Sequence, residues 1–125
     1  MGLLSRLKAR TTPQGARTSA QVAEQTVIAR YQLTSGPNGT STDIHSLATL
    51  EDRLVRAIGD ARAGEFDGNE FGAGEVTLFA YGPDADRLFA AMEPILRSFP
   101  ARPAQVLIRY GALEDDQAPS VLVEL

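Results

Sequence analysis

The sequence predicts an α+β domain in which two helices cover one face of an antiparallel sheet. Two observations carry this prediction. Short β-branched and aromatic runs are interspersed with two longer segments whose apolar residues recur every three or four positions, and these are the periods of strands and of amphipathic helices. With 125 residues, the chain is long enough to bury a core without disulfides.

The first strand and the first helix are separated by a loop. Residues 24–33, E-Q-T-V-I-A-R-Y-Q-L, predict a strand, because β-branched and aromatic residues pack well on a pleated surface. The stretch S-G-P-N-G-T-S-T that follows is typical of a loop. A helix is predicted from about Asp43 to Ala61, where apolar residues at helical spacing form one stripe. The stripe consists of Leu47, Leu50, Leu54, Ile58 and, at its border, Val55.

A β-hairpin is predicted in the glycine-rich stretch between Gly64 and Gly82. Two runs of strand-forming residues, over about 65–70 and 75–81, flank a turn, and the stretch around it is rich in Gly, Asn and Asp. This stretch also holds the densest set of candidate functional side chains in the chain.

A second helix and two strands complete the chain. Asp84 is placed to cap the helix, because its carboxylate can accept hydrogen bonds from the first amides. Pro94 is expected to kink the helix, since proline has no amide donor. Residues 104–111 and 120–125 predict the last strands. The expected buried stripe of the helix consists of Leu88, Met92, Ile95 and Phe99.

The predicted order of elements is βαββαβ followed by one more strand. Both helices connect strands, and right-handed crossovers place them on the same face of the sheet. This order resembles the ferredoxin-like plan with an extra C-terminal strand, and it leaves the other face, which we call the outer face, without helices. Unrelated functions use that plan, so it implies no activity. The domain is expected to span residues 23–125, after a flexible basic tail at residues 1–22.

Charge is distributed unevenly along the chain. Four of the 12 basic residues lie in the first 20 positions, and all 16 acidic residues follow, so that the remainder has a net charge of −8. An acidic domain repels phosphates, which argues against a nucleic-acid partner. It favours a basic protein partner through electrostatic steering. The leucines and basic residues of the tail are compatible with a contact to a membrane surface or a partner.

Several kinds of site are disfavoured by residues that the chain lacks. It has no cysteine, which excludes thiolate chemistry and favours a cytoplasmic location. No apolar run approaches the roughly 18 residues of a membrane span. The glycines at Gly68, Gly72 and Gly74 lead into a strand, whereas a dinucleotide-binding fingerprint requires a helix there. We therefore expect no cofactor.

Metal binding and histidine catalysis are also disfavoured. The piece D-G-N-E-F-G at residues 67–72 partly matches a calcium loop, but Phe71 occupies its fifth position and Leu78 replaces the closing acid. We interpret the piece as part of the hairpin and predict no metal. His45 is the only histidine; it stands at the start of a helix without a recognisable serine or cysteine partner, and we interpret it as solvated.

The outer face is predicted to carry an apolar centre with polar surroundings. Because side chains alternate along a strand, we expect Ile28, Phe79 and Leu107 together on that face. Exposed apolar patches with polar rims usually mark a contact with another molecule. The polar residues expected around the centre are Arg30, Gln32, Thr77, Tyr81 and Arg109. If Phe66 points into the core, three residues of its strand join the same face, namely Glu65, Asp67 and Asn69.

A protein-binding role is the function that these residues favour. The partner is expected to be a second copy, in a homodimer, or a different protein, as in an inhibitor or immunity-type protein. The alternative is a small enzyme that uses the hairpin carboxylates near Asp67 and Tyr81 as acid and base, although no catalytic residue is assigned. The predicted binding residues are Arg30, Asp67, Asn69, Phe79, Tyr81 and Arg109.

Overall fold

The elements of the computed structural model follow the predicted order, and the structure describes residues 24–33 and 41–125. The tail predicted at residues 1–22 and residues 35–40 of the predicted loop lie outside the described residues. The last two residues predicted in that loop, Ser41 and Thr42, belong to the first helix. The elements are β1 (Gln25–Gln32), α1 (Ser41–Ala61), β2 (Glu65–Gly72), β3 (Glu75–Gly82), α2 (Ala85–Ser98), β4 (Ala104–Arg109) and β5 (Ser120–Glu124).

The five strands form one antiparallel sheet in the order β2-β3-β1-β4-β5. β1 lies in the middle, and its Ile28 stands opposite Phe79 of β3 and Leu107 of β4. β5 pairs with β4 and forms the edge of the sheet at that end of the strand order. The predicted α+β class, with an open antiparallel sheet and two helices, is confirmed.

One apolar core lies between the helices and the sheet. Leu54 of α1, Met92 of α2 and Leu78 of β3 belong to the same cluster of buried residues. One predicted stripe position is wrong. Val55 is 54% exposed, because it lies about 100° around the helix from the fully buried Leu54. The predicted Ile95 is partly buried against the core, and Leu96 is fully buried beside it.

The start of α2 is capped as predicted. The Asp84 side chain accepts hydrogen bonds from the amides of Asp86 at 3.0 Å and Arg87 at 3.2 Å. The amide of Ala85 donates to the side-chain carbonyl of Gln25 at 2.8 Å, so β1 also holds the beginning of this helix. Three first-turn amides, which have no acceptor within a helix, are thereby satisfied.

The hairpin is tighter than the sequence predicted. Its strands extend to Gly72 and Glu75, which pair with each other, so that the turn consists of Ala73 and Gly74 alone. Their φ angles are 53° and 79°, both positive as a type I′ turn requires. Residues 67–72 are therefore part of β2 and do not form a loop.

We expect Gly59→Ala to stabilise the protein. Gly59 lies in α1, and no heavy atom stands within 4 Å of the place that a Cβ would take. Alanine favours a helix over glycine by about 0.5–1 kcal/mol. The midpoint of thermal unfolding, followed by circular dichroism, should rise by about 2–4 °C. A fall in the midpoint would contradict the open surroundings of this position.

Candidate functional site

Strand pairing arranges the outer face in three rows of side chains that run across the sheet. The middle row is apolar and consists of Phe79, Ile28, Leu107 and Leu122. The row on one side consists of Thr77, Arg30, Gln105 and Glu124. The row on the other side consists of Tyr81, Thr26, Arg109 and Ser120. Four of the six predicted binding residues therefore share this face.

The exposed apolar side chains of the outer face lie at β5 and not at its centre. Ile28 and Phe79 are only 7% exposed and Tyr81 is 2% exposed. Leu107 packs against these three residues, as does Leu113 from the loop between β4 and β5. Phe79 is thus buried, and the prediction that it belongs to an exposed apolar patch is wrong. Leu122, at the end of the same row, is 55% exposed.

The loop between β4 and β5 is tied to the sheet by hydrogen bonds. The buried hydroxyl of Thr26 donates to the carbonyl of Gly111 at 3.1 Å, and a guanidinium nitrogen of Arg109 donates to the carbonyl of Asp115. The amide of Gln117 donates to the Asp115 carboxylate at 3.0 Å. These bonds hold Leu113 against the outer face and place the acidic residues 114–116 at its rim.

Arg30 lies at the opposite rim of the outer face and is paired with an acid. Its Nε stands 3.6 Å from an oxygen of Glu75, and the two side chains are 43% and 39% exposed. An exposed pair of this kind contributes little stability, about 0–1 kcal/mol. The pair lines a cavity of about 100 Å³ together with Gln32, Gln105 and Glu124.

Asn69 does not lie on the outer face, and the prediction that it does is wrong. A β-bulge between Phe66 and Gly68 makes Asp67 an extra residue, which the strand register skips. The extra residue reverses the alternation of side chains after it. Asn69 consequently stands opposite Leu78, and its amide donates to the Glu51 carboxylate of α1.

Among the described residues, carboxylates outnumber cations on and around the outer face. The acidic residues contributed by strands are Glu65, Glu70, Glu75 and Glu124, and those contributed by the loop are Glu114, Asp115 and Asp116. The two arginines of this face, Arg30 and Arg109, already contact Glu75 and the Asp115 carbonyl. The surface is therefore negative around an apolar row.

No family model, curated protein or solved structure matches this chain. Among the described residues, no three histidine, cysteine or acidic side chains are grouped as metal ligands are. The described helices include none that is long and apolar enough to cross a membrane.

A further cavity, which no local pattern in the sequence predicts, lies between the start of α1 and the end of α2. Its volume is about 260 Å³, and His45 and Arg53 are among its lining residues. The Ser98 hydroxyl accepts from Arg53 at 3.1 Å and donates to the Ile95 carbonyl at 2.6 Å. Because that proton is directed to a carbonyl, the geometry does not pair Ser98 with His45 as a nucleophile and base.

The residues of the alternative enzymatic hypothesis lie on neighbouring strands. Tyr81 belongs to the buried cluster of the outer face, and Asp67 occupies the bulge of β2. Neither residue lines the cavities beside Arg30 or His45. The enzymatic hypothesis stays a prediction from sequence.

Proposed function

We propose that this protein is an interaction module that binds a basic partner protein through its outer face. The observation that carries the proposal is the excess of carboxylates around the apolar row, on a face whose two arginines already have partners. An inhibitor or immunity-type protein is the specific form of this function that we favour. Such a protein binds a cationic site on another protein.

The physical basis of the proposal is complementarity of charge and shape. A negative surface steers a positive partner and raises the association rate. The partly exposed Leu107 and Leu113, with the exposed Leu122, supply the apolar area that a specific contact excludes from water. The acidic loop residues 114–116 are exposed and can therefore approach a partner without rearrangement of the sheet.

We also propose a ferredoxin-like topology and a cytoplasmic location. The sequence β2-β3-β1-β4 within the observed strand order supports a ferredoxin-like arrangement that β5 extends. The absence of cysteine from the chain supports a cytoplasmic location.

Charge reversal in the acidic loop tests the proposal. The double variant Glu114→Lys, Asp116→Lys should lose a basic partner that the unmodified protein retains from an extract of its native host. With the purified partner, its association rate at low salt should fall about tenfold or more, because steering depends on these charges. Surface plasmon resonance at several salt concentrations measures the rate.

The matched control reverses two exposed acids on α1. Asp52→Lys, Asp60→Lys changes the net charge by the same amount at positions on a helix, away from the outer face. This control should bind like the unmodified protein. If both double variants lost the partner equally, the effect would be due to net charge alone. If both bound it as the unmodified protein does, the outer face would be rejected as the binding surface.

A further inference from the structure

The edge of the sheet at β5 is exposed and apolar. Val121 is 48% exposed and Leu122 is 55% exposed, and β4 is the neighbour of β5 among the described strands. Natural proteins commonly protect such an edge with lysine, proline or a bulge. The five residues of β5, S-V-L-V-E, contain neither lysine nor proline, and their pairing with β4 is regular.

Hydrogen bonds at the two ends of β5 show which backbone groups face outward. The amide of Leu125 donates to the Ala104 carbonyl at 2.9 Å, and the amide of Tyr110 donates to the Pro119 carbonyl at 2.9 Å. Bonded and non-bonded pairs alternate along an antiparallel ladder. Odd-numbered residues of this segment therefore bond to β4. The residues whose N–H and C=O groups point to the outer edge are Ser120, Leu122 and Glu124.

We propose that a second copy of this chain pairs with that edge, antiparallel, about a two-fold axis at Leu122. In this register Leu122 stands opposite Leu122 of the second copy, and Ser120 stands opposite Glu124. The three outward residues of each copy then exchange about six backbone hydrogen bonds. The two sheets become one sheet, and their outer faces lie on the same side of it.

The strand is self-complementary in this register, which favours a second copy over an unrelated strand. The two leucines at the axis join the apolar rows of both outer faces, and Val121 stands opposite Val123 on the other side of the sheet. Each Glu124 faces a serine, so no like charges stand opposite each other, which would be unfavourable. This matters because the described part of the chain is acidic.

The contact is small, and we expect a dimer that dissociates on dilution. The strand contributes five residues from each copy, whereas a standard interface has roughly 20–30 residues per side. The inference goes beyond the proposed function and does not depend on it. The charge reversals at Glu114 and Asp116 leave β5 intact, so the two proposals can fail separately.

Disulfide cross-linking tests the register. The chain has no cysteine of its own, and Leu122→Cys places two thiols directly opposite each other. Opposed Cα atoms in a bonded pair lie about 5.5 Å apart, which is within the range of a disulfide. Mild oxidation should convert most of this variant to a covalent dimer on a non-reducing gel.

Two cysteine controls separate this register from random collision. The two copies of residue 120 would lie four residues apart along the strand, or about 14 Å, so Ser120→Cys should show only background cross-linking. Val55→Cys, on α1, should do the same, and its site is 54% exposed as against 55% for Leu122. Equal cross-linking in all three variants would overturn the proposal.

Sedimentation equilibrium tests the dimer without covalent capture. The unmodified protein should associate with rising concentration. Leu122→Lys should weaken the association about tenfold or more, because it places two lysines opposite each other, while the equally exposed Val55→Lys should not. Circular dichroism of both variants shows that they remain folded. A monomer at every concentration up to about 1 mM, where even a weak specific contact is populated, would also overturn the proposal.

Discussion

Gly64→Ala is expected to lower the free energy of unfolding by about 3 kcal/mol or more, through backbone strain and overpacking. Gly64 connects α1 to β2 with a φ of 148°, a region that side chains rarely enter. A Cβ at this position would lie 2.0 Å from the carbonyl oxygen of Tyr81 and 2.8 Å from the Cα of Gly82. Both are backbone atoms of β3 and cannot swing aside as a side chain would.

Gly72→Ala is the matched control for this prediction. Gly72 lies in the same hairpin, at the other end of β2, and no heavy atom stands within 4 Å of the place that its Cβ would take. Its free energy of unfolding should therefore change by no more than about 0.5 kcal/mol. Urea unfolding of both variants measures the difference. Equal effects at Gly64 and Gly72 would contradict the close approach of the α1–β2 junction to β3.

The types of the elements were predictable because local patterns decide them. The four-residue spacing from Leu50 to Leu54 and Ile58 marks a helix face that is buried. Asp84 at the start of the second helix is a local capping signal, and the structure confirms it. Both depend on neighbours in sequence, so no knowledge of distant contacts was needed.

The side of the sheet that each residue of β2 faces was harder to predict. The prediction for Asn69 assumed strict alternation, and one extra residue at Asp67 is enough to reverse it. A signal was present, because a glycine inside a strand pattern often marks a bulge. Gly68 follows the extra residue with a φ of 140°, a conformation that suits glycine.

The covering of the outer face could not be predicted, because contacts distant in sequence determine it. Thr26 and Gly111 are bonded across 85 positions, and this bond helps to bring Leu113 over the apolar row. Alternation correctly placed Arg30, Phe79, Tyr81 and Arg109 on one face. It did not reveal that Phe79 is buried there and that the exposed end of the row is Leu122.

Tyr31 of β1 contacts the end of α2. Its hydroxyl donates to the carbonyl of Leu96 at 2.6 Å. Its ring packs edge-on against the ring of Phe99, with the two ring centroids 4.9 Å apart. In a continued helix this carbonyl would accept from the amide of residue 100, but Pro100 has none. The amide of Phe99 reaches the same carbonyl only at 3.4 Å. Tyr31 thus satisfies a carbonyl that the sequence of the helix leaves without its usual donor.

We expect Tyr31→Phe to destabilise the protein by about 1–2 kcal/mol at pH 7, because it removes this buried hydrogen bond and keeps the ring. This difference in the free energy of unfolding between the variant and the unmodified protein should disappear at alkaline pH. Burial raises the pKa of Tyr31 above its usual value of 10.0, so above pH 10 the unfolded chain releases this proton before the folded protein does. The free energy of unfolding then falls by about 1.4 kcal/mol per pH unit more in the unmodified protein than in the variant.

The stabilities of the two proteins should consequently cross near pH 11, about one unit above the pKa of the unfolded tyrosine. Urea unfolding at half-unit steps between pH 7 and pH 11.5 measures this crossing. The hydroxyl of Tyr110 donates to Asp86 at 2.6 Å, and this hydrogen bond raises the pKa of Tyr110 as well. That contribution is common to both proteins and cancels in their difference. A difference that stays constant up to pH 11.5 would show that the Tyr31 hydroxyl is not held in the protonated form by burial against α2.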